Sequence, residues 1–166
     1  AVCGTVTAQT NVSGLISSNT TWTLASSPYI VTGNILVNNG VTLTIEPGVV
    51  VKLGPGQGIY FGEGTDGFLS AQGAAGSPIT FTSIKDDNYG NPNDTNGDGS
   101  TAPPAQGDWK TIQFQGTSDD AFCLIASSIY CSCEVDASHN CHHVNIACQN
   151  HWPVQEDISR LTADAH

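Results

Sequence analysis

Glycine and proline divide most of this chain into very short apolar runs. All 18 glycines lie in the first 116 residues, and seven of the 8 prolines precede residue 105. Residues 41–45 alternate apolar side chains with threonine and stop at Glu46-Pro47-Gly48, and residues 49–53 stop at Gly54-Pro55-Gly56. Glycine and proline at this density exclude helices, and the alternation between them predicts short β-strands.

Strands this short fit either a β-sandwich or a solenoid. Asn39-Gly40 is a hairpin signal and favours a sandwich, whereas the x-Pro-Gly corners favour stacked coils. Residues 36–44 and residues 68–82 both read as a strand, a glycine corner and an alternating apolar and threonine strand. Repetition at this interval is typical of a solenoid, in which each coil buries its apolar face against its neighbours.

Several ordered phrases between residues 12 and 125 resemble right-handed parallel β-helix modules of bacterial secreted and cell-surface proteins, within the pectate-lyase-like β-solenoid superfamily. The phrases are residues 20–24, 27–33, 40–52, 78–83 and 107–109. The resemblance implies an all-β fold, a right-handed parallel β-helix, with coils expected over residues 1–122. It implies no single activity, because some members are polysaccharide lyases and many are adhesive or structural stalks.

The composition changes near residues 117–122, so we expect residues 123–166 to form a distinct cap or assembly element, or an extension unrelated to the scaffold. Five of the 6 cysteines and all 5 histidines lie in this segment. Residues 153–161 begin with proline and space apolar side chains as a helix does, which predicts a short capping helix.

Disulfides are the leading interpretation of the cysteines, since the count is even. The candidates for disulfides are Cys3, Cys123, Cys131, Cys133, Cys141 and Cys148. The alternative is a soft-metal site. Its candidate ligands are Cys131, Cys133, Cys141, His142, His143, Cys148 and His151.

A polar stretch over residues 86–108 contains the pattern of a calcium loop. Asp94, Asn96 and Asp98 occupy its first, third and fifth positions, glycine follows, and the Ser100 carbonyl would be the seventh-position ligand. Alanine stands where a bidentate glutamate should close the loop, and Asp108 is our candidate replacement, with residues 86 and 87 as alternatives. We therefore predict a structural Ca²⁺ site, and the competing interpretation is a solvated turn.

The chain has 15 acidic and 4 basic residues, for a net charge of −11. Nucleic acid is excluded as a partner, because its binding needs clustered lysine and arginine. No apolar run is long enough to span a membrane. The chain starts Ala-Val-Cys and lacks methionine, which we expect of a mature secreted chain after signal-peptide removal, located outside the cell or on its surface.

No catalytic constellation is recognisable, so we do not expect an enzyme. A polyuronate lyase needs a basic side chain near its substrate, and Lys52, Lys85 and Lys110 lie in different segments. We expect a structural or adhesive module that stacks head to tail with copies of itself or joins other extracellular modules. A carbohydrate-binding or carbohydrate-cleaving domain is the alternative. An ice-binding face, formed if the threonine pairs 5/7, 21/23, 42/44 and 80/82 align, is a minor alternative.

Overall fold

The computed structural model describes residues 9–62, 67–105 and 107–114, and the backbone of residues 124–126 and 128–130. A short 3-10 turn, Leu24–Ser26, follows the second strand. The strands are β1 (Thr10–Ile16), β2 (Thr20–Trp22), β3 (Tyr29–Val37), β4 (Thr42–Ile45), β5 (Val50–Leu53), β6 (Gly58–Phe61), β7 (Phe68–Gln72), β8 (Ile79–Ser83), β9 (Thr111–Phe114), β10 (Leu124–Ala126) and β11 (Ser128–Tyr130).

Every pairing between these strands is parallel, which confirms the solenoid interpretation over the sandwich. β3 pairs through its first part with β5 and through its last part with β6, so it contributes to two faces of the coil. β1 pairs along both parts of β3, with an irregularity between Val12 and Gly14. β5, β8 and β11 continue the first face, β6 and β9 the second, and β2, β4, β7 and β10 form the third.

Residues of successive coils lie directly above one another. Thr10, Tyr29, Val51 and Phe81 occupy one register column on the first face, and the backbone of Tyr130 continues it. In β4 to β9, alternate residues point inward and are almost completely buried, as the period of a strand requires. The core is therefore a continuous apolar stack that runs along the axis of the coils.

Two aromatic pairs strengthen the core. The rings of Phe61 and Phe114, which face each other on paired strands of neighbouring coils, lie 4.8 Å apart between centroids and 16° from parallel. The rings of Trp22 and Tyr29 make a similar contact across the corner between β2 and β3, with centroids 4.9 Å apart. Stacked aromatic pairs add stabilisation beyond the area they bury, so these contacts support the stacking of the coils.

The predicted x-Pro-Gly corners are confirmed as tight turns. In both turns, 46–49 and 54–57, the first carbonyl accepts a hydrogen bond from the fourth amide. Proline occupies the second position, and the following Gly48 and Gly56 have positive φ angles of 81° and 70°. Proline presets the angle at the first corner residue and glycine permits the second, which is why this dipeptide turns the chain between faces.

The internal repeat expected from the sequence is out of phase by one strand. Residues 36–44 span the end of β3 and most of β4, whereas residues 68–82 span β7 and most of β8. The structural equivalents are instead β4 with β7 and β5 with β8. The error arose because each coil holds three similar strands, so a two-strand pattern matches the chain at more than one offset. Asn39-Gly40 lies at a corner between two parallel strands, not in a hairpin.

The described backbone carries the coils past the boundary expected at residue 122. β10 pairs with β7, and β11 pairs with β8, both in parallel. The predicted capping helix over residues 153–161, the predicted disulfides and the soft-metal alternative lie outside the described residues. Within the described part of the chain, no helix is long and apolar enough to cross a membrane.

Replacing Phe61 by alanine tests the stacked core. Phe61 is 0% exposed, so we expect Phe61→Ala to lower the free energy of unfolding by about 3–5 kcal/mol, through lost burial and a cavity beside Phe114. Leu15→Ala is the control, since Leu15 is 58% exposed and should change stability by less than about 0.5 kcal/mol. Urea unfolding measures both, and equal small effects would contradict the stacked-core description.

Candidate functional site

One long insertion interrupts the coils. The first and second faces are joined by a short turn after β5, but by residues 84–110 after β8. We call residues 84–110 the acidic loop. The sequence of this loop, rich in aspartate, asparagine, glycine and proline, favours turns over a regular strand. The strands on either side hold its two ends, so the fold positions the loop from both sides.

An ion pair closes the base of the acidic loop. The Lys85 Nζ lies 2.8 Å from Asp108 Oδ1, and Asp108 Oδ2 accepts a hydrogen bond of 2.8 Å from the Ala105 amide. Burial acts to raise the pKa of Asp108, but hydrogen bonds from Lys85, Ala105 and Ser83, with the charge of Lys85, lower it below 3.8 overall. Asp108 therefore links the start and the end of the loop.

The structure places Asp108, the expected replacement for the closing calcium ligand, at the base of the loop and away from the other candidate ligands. Both of its carboxylate oxygens are engaged at the base of the loop. The cluster of aspartates that could hold a metal contains Asp87, Asp94 and Asp98 instead. Sequence spacing placed Asp108 close to the pattern, but the path of the loop carries it to Lys85.

The acidic loop covers the outer surface of the first face. Ile30, Lys52 and Thr82 alternate with core residues, so their side chains leave the sheet on its outer side, yet all three are buried. Thr82 donates a hydrogen bond of 2.6 Å to Asp86, and Gly90 lies beside Pro28, the residue that precedes β3. The loop thus forms a second layer on this face of the coil.

Lys52 is the basic side chain enclosed by that layer. It is 0% exposed, and its Nζ donates a hydrogen bond to the backbone carbonyl of Asn93. Burial lowers the pKa of Lys52, and the charges of Asp87, Asp86 and Asp94 partly oppose this shift. A buried ammonium group costs free energy unless opposite charges compensate it, so Lys52 and the aspartates of the loop depend on one another.

Asp94 organises the tip of the loop. Its Oδ1 accepts hydrogen bonds from the amides of Gly97 at 2.7 Å and Asp98 at 3.2 Å, and its Oδ2 accepts one from Gly99 at 3.1 Å. The side-chain amide of Asn96 donates to Asp98 Oδ2 at 2.8 Å. The first, third and fifth positions of the predicted calcium pattern are therefore brought together.

Asp87 completes the group from outside the predicted pattern. Oxygen atoms of Asp87, Asp94 and Asp98 all lie within 4.8 Å of one another. Asp87 Oδ2 accepts a hydrogen bond of 2.6 Å from the Ser100 hydroxyl. Asp87 Oδ1 is buried and has no hydrogen-bond partner among the described residues. An orphaned carboxylate oxygen next to two further carboxylates has the chemistry of a hard-cation ligand.

Ser100, the fourth residue of the pattern, lies beside this group. Its amide donates to Asp98 Oδ1 at 2.9 Å, and its φ angle of 65° is the positive value that non-glycine residues rarely adopt. Asp87 was one of the alternatives to Asp108 as the closing calcium ligand. The path of the loop, which the sequence does not reveal, brings Asp87 next to Asp94 and Asp98.

The three lysines considered above as candidate catalytic bases have different surroundings. Lys52 is buried, and Lys85 is paired with Asp108. The Lys110 Nζ lies 5.9 Å from the ring centre of Tyr60 on the outer side of the second face. Glu46, the acid of the first x-Pro-Gly corner, accepts a hydrogen bond of 2.8 Å from the Leu24 amide and so has a structural role.

The threonine pairs do not share one face within the described residues. Thr42 and Thr44 lie on the outer side of the third face, and Thr21 stacks on Thr44. Thr80 and Thr82 belong to the first face and are buried, and Thr82 donates a hydrogen bond to Asp86 of the acidic loop. An ice-binding face would require all the threonine pairs on one face, and the described pairs are divided between the third face and the first. The pair 5/7 lies outside the described residues.

Comparison with known proteins agrees with the fold. Residues 14–95, close to half of the chain, match the model of a family described as pectate-lyase like beta helix domain. This segment is therefore similar to that family, in agreement with the parallel strand pairing of the coils. Neither the curated proteins nor the solved structures gave a match.

Acidification tests the base of the loop through Asp108→Asn. Because the pKa of Asp108 lies below 3.8 in the folded chain, its charged form stabilises the fold above that pH, and this contribution is lost as the pH falls below it. We expect the substitution to lower stability at neutral pH and to make the acid-induced loss shallower than in the wild type. Urea unfolding across a pH series measures this, and parallel acid profiles would contradict it.

Proposed function

We propose that this chain is a rigid structural module of an extracellular protein, built to hold a rod of stacked coils and to present its acidic loop. The observation that carries the proposal is the unbroken register between coils, from Thr10 to Tyr130 on the first face. A solenoid with such stacking resists bending, because each coil contacts its neighbours along its full perimeter. The extracellular location is inferred from composition.

The placement of the basic residues supports a structural role over a catalytic one. A base that removes a proton from a polysaccharide must reach its substrate with a free side chain. Lys52 is enclosed beneath the loop, and Lys85 is held by Asp108. Both lysines are thus explained by the architecture of the loop.

The partner of such a module would be a second copy or another extracellular module stacked on an end coil. Within the described residues, β1 and β2 pair with a neighbouring strand on one side only. Unpaired strand edges are templates for further pairing. Light scattering over a concentration series separates self-association from a requirement for a different module.

We further propose that Ca²⁺ fixes the acidic loop, with Asp87, Asp94 and Asp98 as carboxylate ligands and Asn96 and Ser100 beside them. Three carboxylates converge there, and the buried Asp87 oxygen has no protein donor among the described residues. Lys52 supplies a single positive charge beneath the group. A divalent cation would offset the remaining negative charge and satisfy the orphaned oxygen, and hard oxygen ligands favour calcium.

Calcium titration tests this site. We expect Ca²⁺ to raise the melting temperature, because an ion that binds only the folded chain stabilises it by about 2.7 kcal/mol at one hundred times its dissociation constant. Asp87→Asn should weaken binding by about tenfold or more, since affinity follows the charge of the ligands. Calorimetry and thermal unfolding measure both effects.

The matched control is Glu46→Gln, which removes a carboxylate that contacts Leu24 at a corner outside the loop. This variant should bind calcium as the wild type does. A wild-type melting temperature that is the same with calcium and with chelator would refute the site, as would an unchanged affinity in Asp87→Asn.

A carbohydrate-binding or carbohydrate-cleaving role is the second candidate, favoured by the family description and by the Tyr60 ring beside Lys110 on an outer face. Under the structural proposal we expect no new reducing or unsaturated ends when the chain is incubated, with calcium present, with acidic or neutral polysaccharides. Lys110→Met is the control for any turnover. Cleavage by the wild type that this substitution abolishes would overturn the structural proposal.

A further inference from the structure

The chain contains two Asn-Gly pairs, Asn39-Gly40 and Asn96-Gly97. This dipeptide is the one most prone to spontaneous loss of the asparagine amide, because glycine leaves its own backbone nitrogen free to approach the side chain. In an unfolded chain the two pairs should react at similar rates. Their surroundings in the folded chain are very different.

In the Asn96-Gly97 pair, hydrogen bonds hold both groups that would react, the Gly97 nitrogen and the Asn96 side chain. The Gly97 nitrogen, which would be the nucleophile, donates its hydrogen to Asp94 Oδ1 at 2.7 Å. The Asn96 side chain donates to Asp98 Oδ2 at 2.8 Å and accepts from the Asp98 amide at 3.3 Å. Loss of the Gly97 proton would place a negative charge next to the Asp94 carboxylate, so this reaction is opposed both by geometry and by charge.

The Asn39-Gly40 pair is open. Asn39 is exposed at the corner between β3 and β4, and the hydrogen bond of this turn runs from the Val41 amide to the Asn38 carbonyl, outside the pair. Gly40 has a φ angle of 68°, with no atom within 4 Å of the position that a side chain would take. Among the described residues, no acceptor holds the Gly40 amide. This corner therefore offers the space that ring closure needs.

We propose that Asn39 is a site of spontaneous deamidation in this protein, and that Asp94 protects Asn96 from the same reaction. The Gly40 nitrogen loses its proton and bonds to Asn39 Cγ, and the side-chain nitrogen leaves as ammonia, which gives a cyclic imide. Water then adds to either imide carbonyl and opens the ring to aspartate or isoaspartate. No oxidant or cofactor takes part.

The modification would alter a stacked corner. The Gly62 amide contacts the Val37 carbonyl at 3.4 Å, and the Phe68 amide contacts the Val41 carbonyl at 2.9 Å, so this corner is bonded to the next coil on both sides. Aspartate adds a negative charge there, and isoaspartate also lengthens the backbone by a methylene.

The test follows deamidation of the full chain in mildly alkaline buffer with a chelator, so that calcium does not enter the result. Peptide mapping by mass spectrometry gives the rate at each asparagine, and the chain in denaturant gives the intrinsic rates. We expect Asn39 to react at least about tenfold faster than Asn96 in the folded chain, the factor set by one hydrogen bond to a charged acceptor, and the two to be similar in denaturant.

Two variants separate the parts of the proposal. Asn39→Gln should remove the fast modification without a change at Asn96. Asp94→Ala frees the Gly97 amide while Asp98 still holds the Asn96 side chain, so Asn96 should then react faster than in the wild type and more slowly than in denaturant. Equal rates at Asn39 and Asn96 in the folded wild type would overturn the proposal. A rate at Asn96 that stays low in Asp94→Ala would overturn the protective role of Asp94.

Discussion

The register between coils is the constraint on which the rest of this structure depends. A single coil of three short strands cannot bury its apolar side chains alone, so stability requires that inward residues of one coil rest on those of the next. The column through Tyr29, Val51 and Phe81 and the ring pair Phe61–Phe114 show this dependence. The Pro-Gly corners matter because a corner of the wrong length would shift every contact that follows.

The acidic loop exists within that constraint. Its ends are fixed by β8 and β9 and by the ion pair of Lys85 with Asp108, so a long insertion is accommodated without breaking the stack. The loop buries Lys52 and forms a second layer on the first face, in which the carboxylates of Asp87, Asp94 and Asp98 lie close together. Such a cluster is unfavourable by itself, which is the electrostatic reason for proposing that a divalent cation joins Lys52 there.

Sequence reasoning succeeded where local chemistry is decisive. The alternation of residues 42–45, the corner at Glu46-Pro47-Gly48 and the turn-rich stretch after β8 were each predicted from the residues that form them. It failed on the phase of the repeat, because the three strands of a coil look alike in one dimension. It also missed the burial of Lys52, since a lysine between valine and leucine in a strand carries no signal of what covers its outer side.

The sequence by itself determined the class of fold, the positions of the corners and the presence of an acidic, oxygen-rich loop, because turns and strand alternation depend on neighbouring residues. Only the tertiary structure decided which aspartates meet. Asp108 and Asp87 both lie near the tip of the loop in sequence. In the folded chain Asp108 pairs with Lys85 at the base of the loop, while Asp87 joins Asp94 and Asp98. The stacking of coils sets that path, and contacts between distant residues follow from it.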